Sequence, residues 1–340
     1  MRYLTVLVVS SASAAGIFFS LALALAPAPI AAEYFVREMI VIKRHIAQKH
    51  MGQRKIVIAS GSVALFSIDT QQLSNDLAIP VINFGLHSLL PLKTILAEAE
   101  AAAEKGDAVI LSLEPNLYCV KEPTNWQVRN AIAWDRGRWE AWSIWNRIQG
   151  IALFPPSFIF ELFQARMHET FSPDSIALRL AALDDQKILA KFASSPEPAV
   201  FAYSAFNLDA LGNMQRTEGA RYVGVPKSIE EKIDICAESW QVLRTHATNM
   251  SRKGVTIYFA NTPYLASSNL NTTKLEANSR QFVGELSQLA PVLDGKHQLG
   301  FPRSLFLDSD LHLNAEGRKI RTKLLENAIR HDKKFLARFQ

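Results

Sequence analysis

Cysteine is scarce. Cys119 and Cys236 are the only two in 340 residues, too few for a disulfide-built scaffold, and neither has metal-site spacing to another Cys or to His. In an exported compartment the pair could form one bridge. Charge of one sign is scarce too. Lys and Arg total 37 against 32 Asp and Glu, a formal +5. The basic residues are scattered, which argues against a nucleic-acid footprint and suits an exported domain beside an anionic membrane. No internal repeat or low-complexity tract is present, which removes repeat architectures. The most consequential absence is local: residues 3–32 carry no charged side chain.

Within that stretch, residues 4–26 are long enough to cross a bilayer as a helix at about 1.5 Å per residue. Arg2 and the terminal amine form a short positive flank. Two readings fit. A cleaved signal peptide would use Ala22-Leu23-Ala24 or the neighbourhood of Ile30-Ala31-Ala32. A retained signal anchor fits the apolar length, which exceeds a usual signal core, and is the reading carried forward. Either way the rest of the chain is exported. The expected division is an anchor at 1–32, an amphipathic linker helix at 33–54 and a catalytic domain at 55–340 with a helical insertion at about 120–250.

The linker helix is read from Phe35, Met39, Ile42 and Ile46, which recur every three or four residues with Arg37, Glu38, Lys43 and Arg44 between them. It would lie at the membrane interface or pack on its own domain. Beyond it, apolar strand patterns at 56–59, 79–85, 108–113 and 255–260 alternate with helical ones at 94–105 and 315–330. Such alternation predicts a parallel sheet with helices on both faces and a site at the carboxyl ends of the strands. Ser62, Gly85, Asn116 and Asn261 all follow predicted strands. In the insertion, Trp126, Trp134, Trp139, Trp142 and Trp145 crowd together with Arg129, Arg136 and Arg138. They form a carbohydrate or membrane platform, or simply the insertion's core.

The chemistry concentrates at two distant places. Ser60-Gly61-Ser62 ends the first strand and enters a helix, so a hydroxyl would sit at a positive helix end. Ser60 is the rival nucleophile, and Ser67 reads as a helix-face residue. Near the other end stands Asp308-Ser309-Asp310-Leu311-His312-Leu313-Asn314. Histidine is the general base that works near neutral pH, and an acid is needed to hold its tautomer. Asp308, delivered by a predicted strand at 305–307, is the expected acid, with Asp310 the alternative. Gly85 would bring a backbone N–H, and Asn116 a side-chain amide, to an oxyanion. His87, His168, His246 and His297 have no such setting and read as surface or core residues.

These blocks resemble the SGNH (GDSL-like) hydrolase superfamily over about 55–125 and 250–330. Ser60-Gly61-Ser62 stands where the family has Gly-Asp-Ser, Asn83-Phe84-Gly85 resembles its Gly block, Glu114-Pro115-Asn116 its Asn block, and Asp308 to His312 its Asp-x-x-His block. Three departures are plain: Ser-Gly replaces Gly-Asp, the Asn block lacks its glycines, and the acid lies four residues before the histidine. The apolar N-terminus, Asn83-Phe84-Gly85-Leu86-His87 and the ending His312-Leu313-Asn314-Ala315-Glu316-Gly317 are similar to bacterial membrane-anchored members linked to exopolysaccharide and wall-polymer acylation, the DltD-like and alginate-acetylation proteins. The resemblance implies a three-layer, flavodoxin-like fold and a serine O-acyltransferase or esterase acting on acyl, commonly acetyl, esters of an envelope polysaccharide. It also implies a bacterial inner-membrane anchor with the catalytic domain in the periplasm or otherwise outside the cytoplasm, no metal or other cofactor, and an integral membrane acyl-transfer partner. The alternative is a catalytically degenerate scaffold in a polysaccharide export complex.

Overall fold

The computed structural model describes residues 2–119, 123–224, 233–266, 272–295 and 299–339. His297 and part of the region around 225–232 lie outside the described residues. The chain divides into two compact units, one of residues 1–38 and 121–191, the other of residues 39–120 and 192–340. The expected insertion at 120–250 therefore divides near 191, and its second part belongs with the sheet.

Four strands form that sheet: β1 (Ile56–Ser60), β2 (Val81–Gly85), β3 (Ala108–Leu111) and β4 (Thr256–Phe259). All pairings are parallel, in the order β2-β1-β3-β4. The strands are apolar almost throughout because helices flank the sheet. Ile56, Ile58 and Ile110 share a cluster with Leu325 and Ile329 of the helix Ala315–His331. The helices Leu92–Ala102 and Ala237–Arg252 pack on each other, the first also on β1 and the second on β4. Beside this sheet the Cys119–Cys236 disulfide is closed, and the Cys236 N–H donates to the Tyr118 carbonyl at 3.0 Å.

Two local expectations are corrected. No sheet strand forms at 305–307. Arg303–Leu305 is a 3-10 turn, and Phe306 pairs with Leu313 in an isolated antiparallel bridge. The Leu307 N–H donates to the His312 carbonyl at 2.8 Å, and Asn314 to Leu305 at 2.8 Å. These bonds fold the chain back on itself instead of onto the sheet. The second correction concerns α2 (Tyr34–Lys49). Met39, Ile42 and Ile46 are buried as their spacing requires, but so are Ile40, Val41 and Lys43. Lys43 is fully buried, and its ammonium donates to the carbonyls of Asn83 at 2.8 Å and Gly212 at 2.9 Å. The carbonyls satisfy a charge that periodicity alone had assigned to the polar face.

The other unit begins with α1 (Arg2–Leu25), long and apolar enough to cross a membrane. Around it lie short helices, among them Asn125–Ala133, Ile144–Ile151 and Phe158–Phe171. The tryptophans mostly form this unit's interior: Trp134 and Trp139 are buried, Trp126 and Trp142 half-buried, and Trp145 exposed.

Candidate active site

The sheet unit gathers the site from the ends of β1, β2 and β3 and from the loop before the terminal helix. β1 delivers Ser60, whose side chain is fully buried. Its Oγ accepts from the Ala64 N–H at 2.8 Å and donates to the Gly61 carbonyl at 3.0 Å. Ser60 thus holds the start of α3 (Val63–Ser67) and is committed to that turn. Ser67 is buried under the histidine loop, donating to the Leu311 carbonyl at 3.4 Å, and is no surface residue.

Ser62 is the N-terminal flanking residue of α3 and remains partly exposed. Its Oγ lies 2.8 Å from His312 Nε2. His312 Nδ1 lies 2.9 Å from Asp308 Oδ1. The structure therefore brings Ser62, His312 and Asp308 into one hydrogen-bonded chain across 250 residues of sequence. Asp310 instead lies near Tyr222, whose phenol is raised first by burial and then by the Asp310 charge. The extra residue between acid and histidine is absorbed by Ser309, whose Oγ accepts the backbone N–H groups of Leu311 and His312 at 3.3 and 3.1 Å. That local bond curls the loop so that position four, not three, faces the imidazole.

The imidazole is held on other sides as well. Phe66 of α3 stacks on it at 4.2 Å between centroids with 21° between planes. Tyr203, from the stretch that rejoins the sheet unit, donates its hydroxyl to Asp308 Oδ2 and sits 3.3 Å from His312 Nδ1. Burial works to raise the Asp308 carboxyl. The hydrogen bonds from His312 and Tyr203, with the charges of His312 and Arg221, outweigh it and hold the group below its ordinary value. Asp308 is thus an anion where an imidazolium would form. The Tyr203 phenol is pushed the other way, first by burial and then by Asp308.

Glu114 is the residue whose role the sequence hid. It follows β3, is fully buried, and accepts the Gly61 N–H at 2.9 Å on one carboxyl oxygen and the Val63 N–H at 2.8 Å on the other. Ser62 Oγ is 3.3 Å from Oε1. The amides on both sides of the nucleophile candidate are therefore clamped by one side chain, and the start of α3 is not the bare positive end expected of it. A Cβ on Gly61 would fall 2.6 Å from both carboxyl oxygens and 2.7 Å from the Ser88 Cα. Glycine is required there by that close approach. Burial raises the Glu114 carboxyl against the pull of the Val63 and Gly61 hydrogen bonds.

The expected oxyanion residues fare differently. The Gly85 N–H is committed to Asn83 Oδ1 at 2.9 Å, so Gly85 cannot offer it to a substrate. Its lack of a side chain serves packing, since a Cβ there would meet the Leu65 nitrogen at 2.6 Å. Asn83 is a buried hub whose Nδ2 also donates to the Ala64 carbonyl at 2.7 Å and to Asn213 at 3.1 Å. Asn116 is exposed, in the 3-10 turn Pro115–Tyr118, and gives one amide hydrogen to the Ser88 carbonyl at 3.1 Å. Asn261 does not join the triad: its N–H and amide are held by Asp294, and its carbonyl accepts from Arg321.

His87, set aside by sequence, follows β2 and sits close enough to His312 to feel its charge. Burial first, then His312, lower it to about 4. Its Nδ1 accepts the Leu89 N–H at 3.2 Å, which leaves the proton on Nε2. A neutral donor thus stands beside the base. The signal for His87 and Glu114 was position at strand ends. Tyr203 and Phe66 had none, because nothing local marks a residue whose partner is a hundred or more positions away. Among the described residues, no group of three or more His, Cys, Asp or Glu side chains is placed to hold a metal ion. Comparison of the chain with family models, with curated proteins and with solved structures finds no match.

Proposed function

We propose that this protein is a membrane-anchored serine O-acyltransferase or esterase of SGNH type, acting on acyl, chiefly acetyl, esters of an envelope polysaccharide outside the bacterial cytoplasm. The observation that carries the reading is the Ser62–His312–Asp308 chain, with contacts of 2.8 and 2.9 Å. The strand order 2-1-3-4 agrees with the first four positions of a flavodoxin-like sheet. The polysaccharide, the acyl group and an integral membrane partner rest on the resemblance of the sequence blocks alone.

In this mechanism Ser62 Oγ attacks the acyl carbonyl carbon while its proton passes to His312 Nε2. Asp308 accepts the hydrogen bond from Nδ1–H and stabilises the imidazolium. The oxyanion is met by the Ser62 N–H and by the second amide hydrogen of Asn116. Because Gly61 and Val63 give their N–H groups to Glu114, they take no part. Collapse of the tetrahedral intermediate expels the alcohol, which takes the proton from His312 and leaves an acyl-serine. A sugar hydroxyl or water then attacks that ester with His312 again as base, and the identity of this second nucleophile separates transferase from esterase.

The test is trapping with a fluorophosphonate probe, followed by turnover of an activated acetyl ester. Parent protein should be labelled at Ser62 and Ser62→Ala should not, with turnover reduced by several orders of magnitude. Equal labelling and turnover in Ser62→Ala would remove the mechanism.

A further inference from the structure

The anchor helix is too short, where it is bare, to cross a bilayer by itself. Residues 2–17 of α1 are exposed all round, whereas Phe18, Phe19, Ala22, Leu23 and Leu25 are covered to varying degrees. Sixteen helical residues rise about 24 Å, and the hydrocarbon core is about 30 Å thick, or roughly 20 residues. Counted from Tyr3, the hydrocarbon must therefore reach the level of about Ala22. That is the stretch on which the helices Ile144–Ile151 and Phe158–Phe171 pack. The Arg166 guanidinium ties the second of them to the Leu25 carbonyl at 2.9 Å.

The helix Phe158–Phe171 carries two apolar faces. Phe158, Leu162 and Ala165 are buried in the unit. Phe160, Phe163, Met167 and Phe171 point away from it, 69%, 50%, 42% and 72% exposed. Their spacing of three, four and four places them within about 80° of one another at 100° per residue. Trp145, on the neighbouring helix that also packs on α1, is 61% exposed. A contiguous row of large exposed side chains is unusual for a face bathed in water. Aromatic side chains at the end of a membrane span match the headgroup boundary instead.

We infer that residues 144–171 form a platform that sinks into the outer boundary of the bilayer, with the Phe160–Phe163–Met167–Phe171 row in contact with lipid. The ligand is the lipid surface itself. The inference rests on the reading that α1 spans the membrane, because the depth of the platform is counted along α1. It supplies what a single anchor helix does not: a second point of attachment, which limits rotation of this unit about the α1 axis.

The test uses the full chain in phosphatidylcholine–phosphatidylglycerol vesicles, with an environment-sensitive fluorophore on one added cysteine at a time: Leu7→Cys, Phe163→Cys, Phe171→Cys and Lys319→Cys. Lys319 is exposed on the terminal helix of the other unit and reports water. Quenching is compared between aqueous iodide and lipids carrying a shallow nitroxide. Labels at 163 and 171 should be quenched by the lipid nitroxide at least about threefold more than the label at 319, and by iodide correspondingly less. If position 7 is lipid-quenched while 163 and 171 behave like 319, the platform is overturned and the span stands. If position 7 also behaves like 319, span and platform fall together. Shielding of 163 and 171 from both quenchers, as a second copy of the chain would produce, overturns the lipid contact as well.

Discussion

At the scale of the residue, one acid was chosen from two by a hydroxyl between them. Ser309 Oγ gathers the Leu311 and His312 amides, and the resulting curl aims Asp308 at the imidazole. Asp308→Asn should lower turnover by orders of magnitude with the fold intact, because an amide cannot hold the same tautomer. Asp310→Asn should stay within a few-fold of the parent. Parallel kinetics on the two variants decide this, and a severe defect confined to Asp310→Asn would show that the other acid serves. Glu114 makes a sharper demand. In Glu114→Gln one buried amide N–H would face a donor instead of an acceptor, costing about 1–3 kcal/mol. Turnover should fall with stability, while Ser62 stays present and chemically intact. A Glu114→Gln protein with parental unfolding midpoint and parental kcat would show that the clamp on the nucleophile turn is dispensable.

At the scale of the element, α2 is a core helix whose one buried cation stitches it to the sheet. Lys43 reaches the Asn83 carbonyl on β2 and the Gly212 carbonyl in a turn far along the chain, and Gly212 adopts φ +86°, where a side chain would also strike the Asn83 carbonyl. Burial lowers the Lys43 ammonium to about 7, against the opposing charge of Asp209. The unfolded chain keeps an ordinary lysine at 10.5. Between those values the unfolded state binds more protons than the folded state, so this group makes stability rise with pH from about 7 towards 10. Lys43→Met should be less stable than the parent near pH 7, since two buried carbonyls lose their donor. It should also lack this group's part of the rise. Urea midpoints for both proteins at pH 6.5 and 9 test the sign: an equal pH dependence in parent and variant would refute it.

At the scale of the whole molecule, α1 is long and apolar enough to cross a membrane, and the proposed location rests on it. Fractionation should find the full-length chain in the membrane pellet, resistant to carbonate extraction, with residues 55–340 open to protease from outside the cytoplasm. A soluble mature chain beginning after Ala24 or Ala32 would establish the cleaved signal peptide instead. The residues around the cut bear on the outcome. Ala22 is fully buried, Ala28 and Ile30 are fully buried, and the Ala28 N–H donates to the Ile132 carbonyl at 3.2 Å. Cleavage after Ala24 would remove the α1 turn that covers this unit, and cleavage after Ala32 would also remove Ala28 and Ile30 from its core.

What the sequence determined by itself was what short-range pattern can encode. Apolar runs such as Ile56-Val57-Ile58-Ala59 read as strands covered on both faces, and their alternation with helical stretches implied a parallel sheet. Within an uncharged run of thirty residues, the apolar stretch predicted an N-terminal helix, and α1 spans Arg2–Leu25. Ser62 and His312 were legible because each stood in a local frame, a strand end and an acid-flanked loop. Tertiary structure alone decided the rest. Lys43 became a core residue because two carbonyls distant in sequence met its ammonium. Gly85 lost its expected role because Asn83, two positions away, turned its amide oxygen back onto the Gly85 N–H. Glu114 and Tyr203 gained theirs because the fold carried them to Gly61 and Asp308, and the trade of hydrogen-bond donors among such partners is settled by distances in space, which no spacing along the chain records.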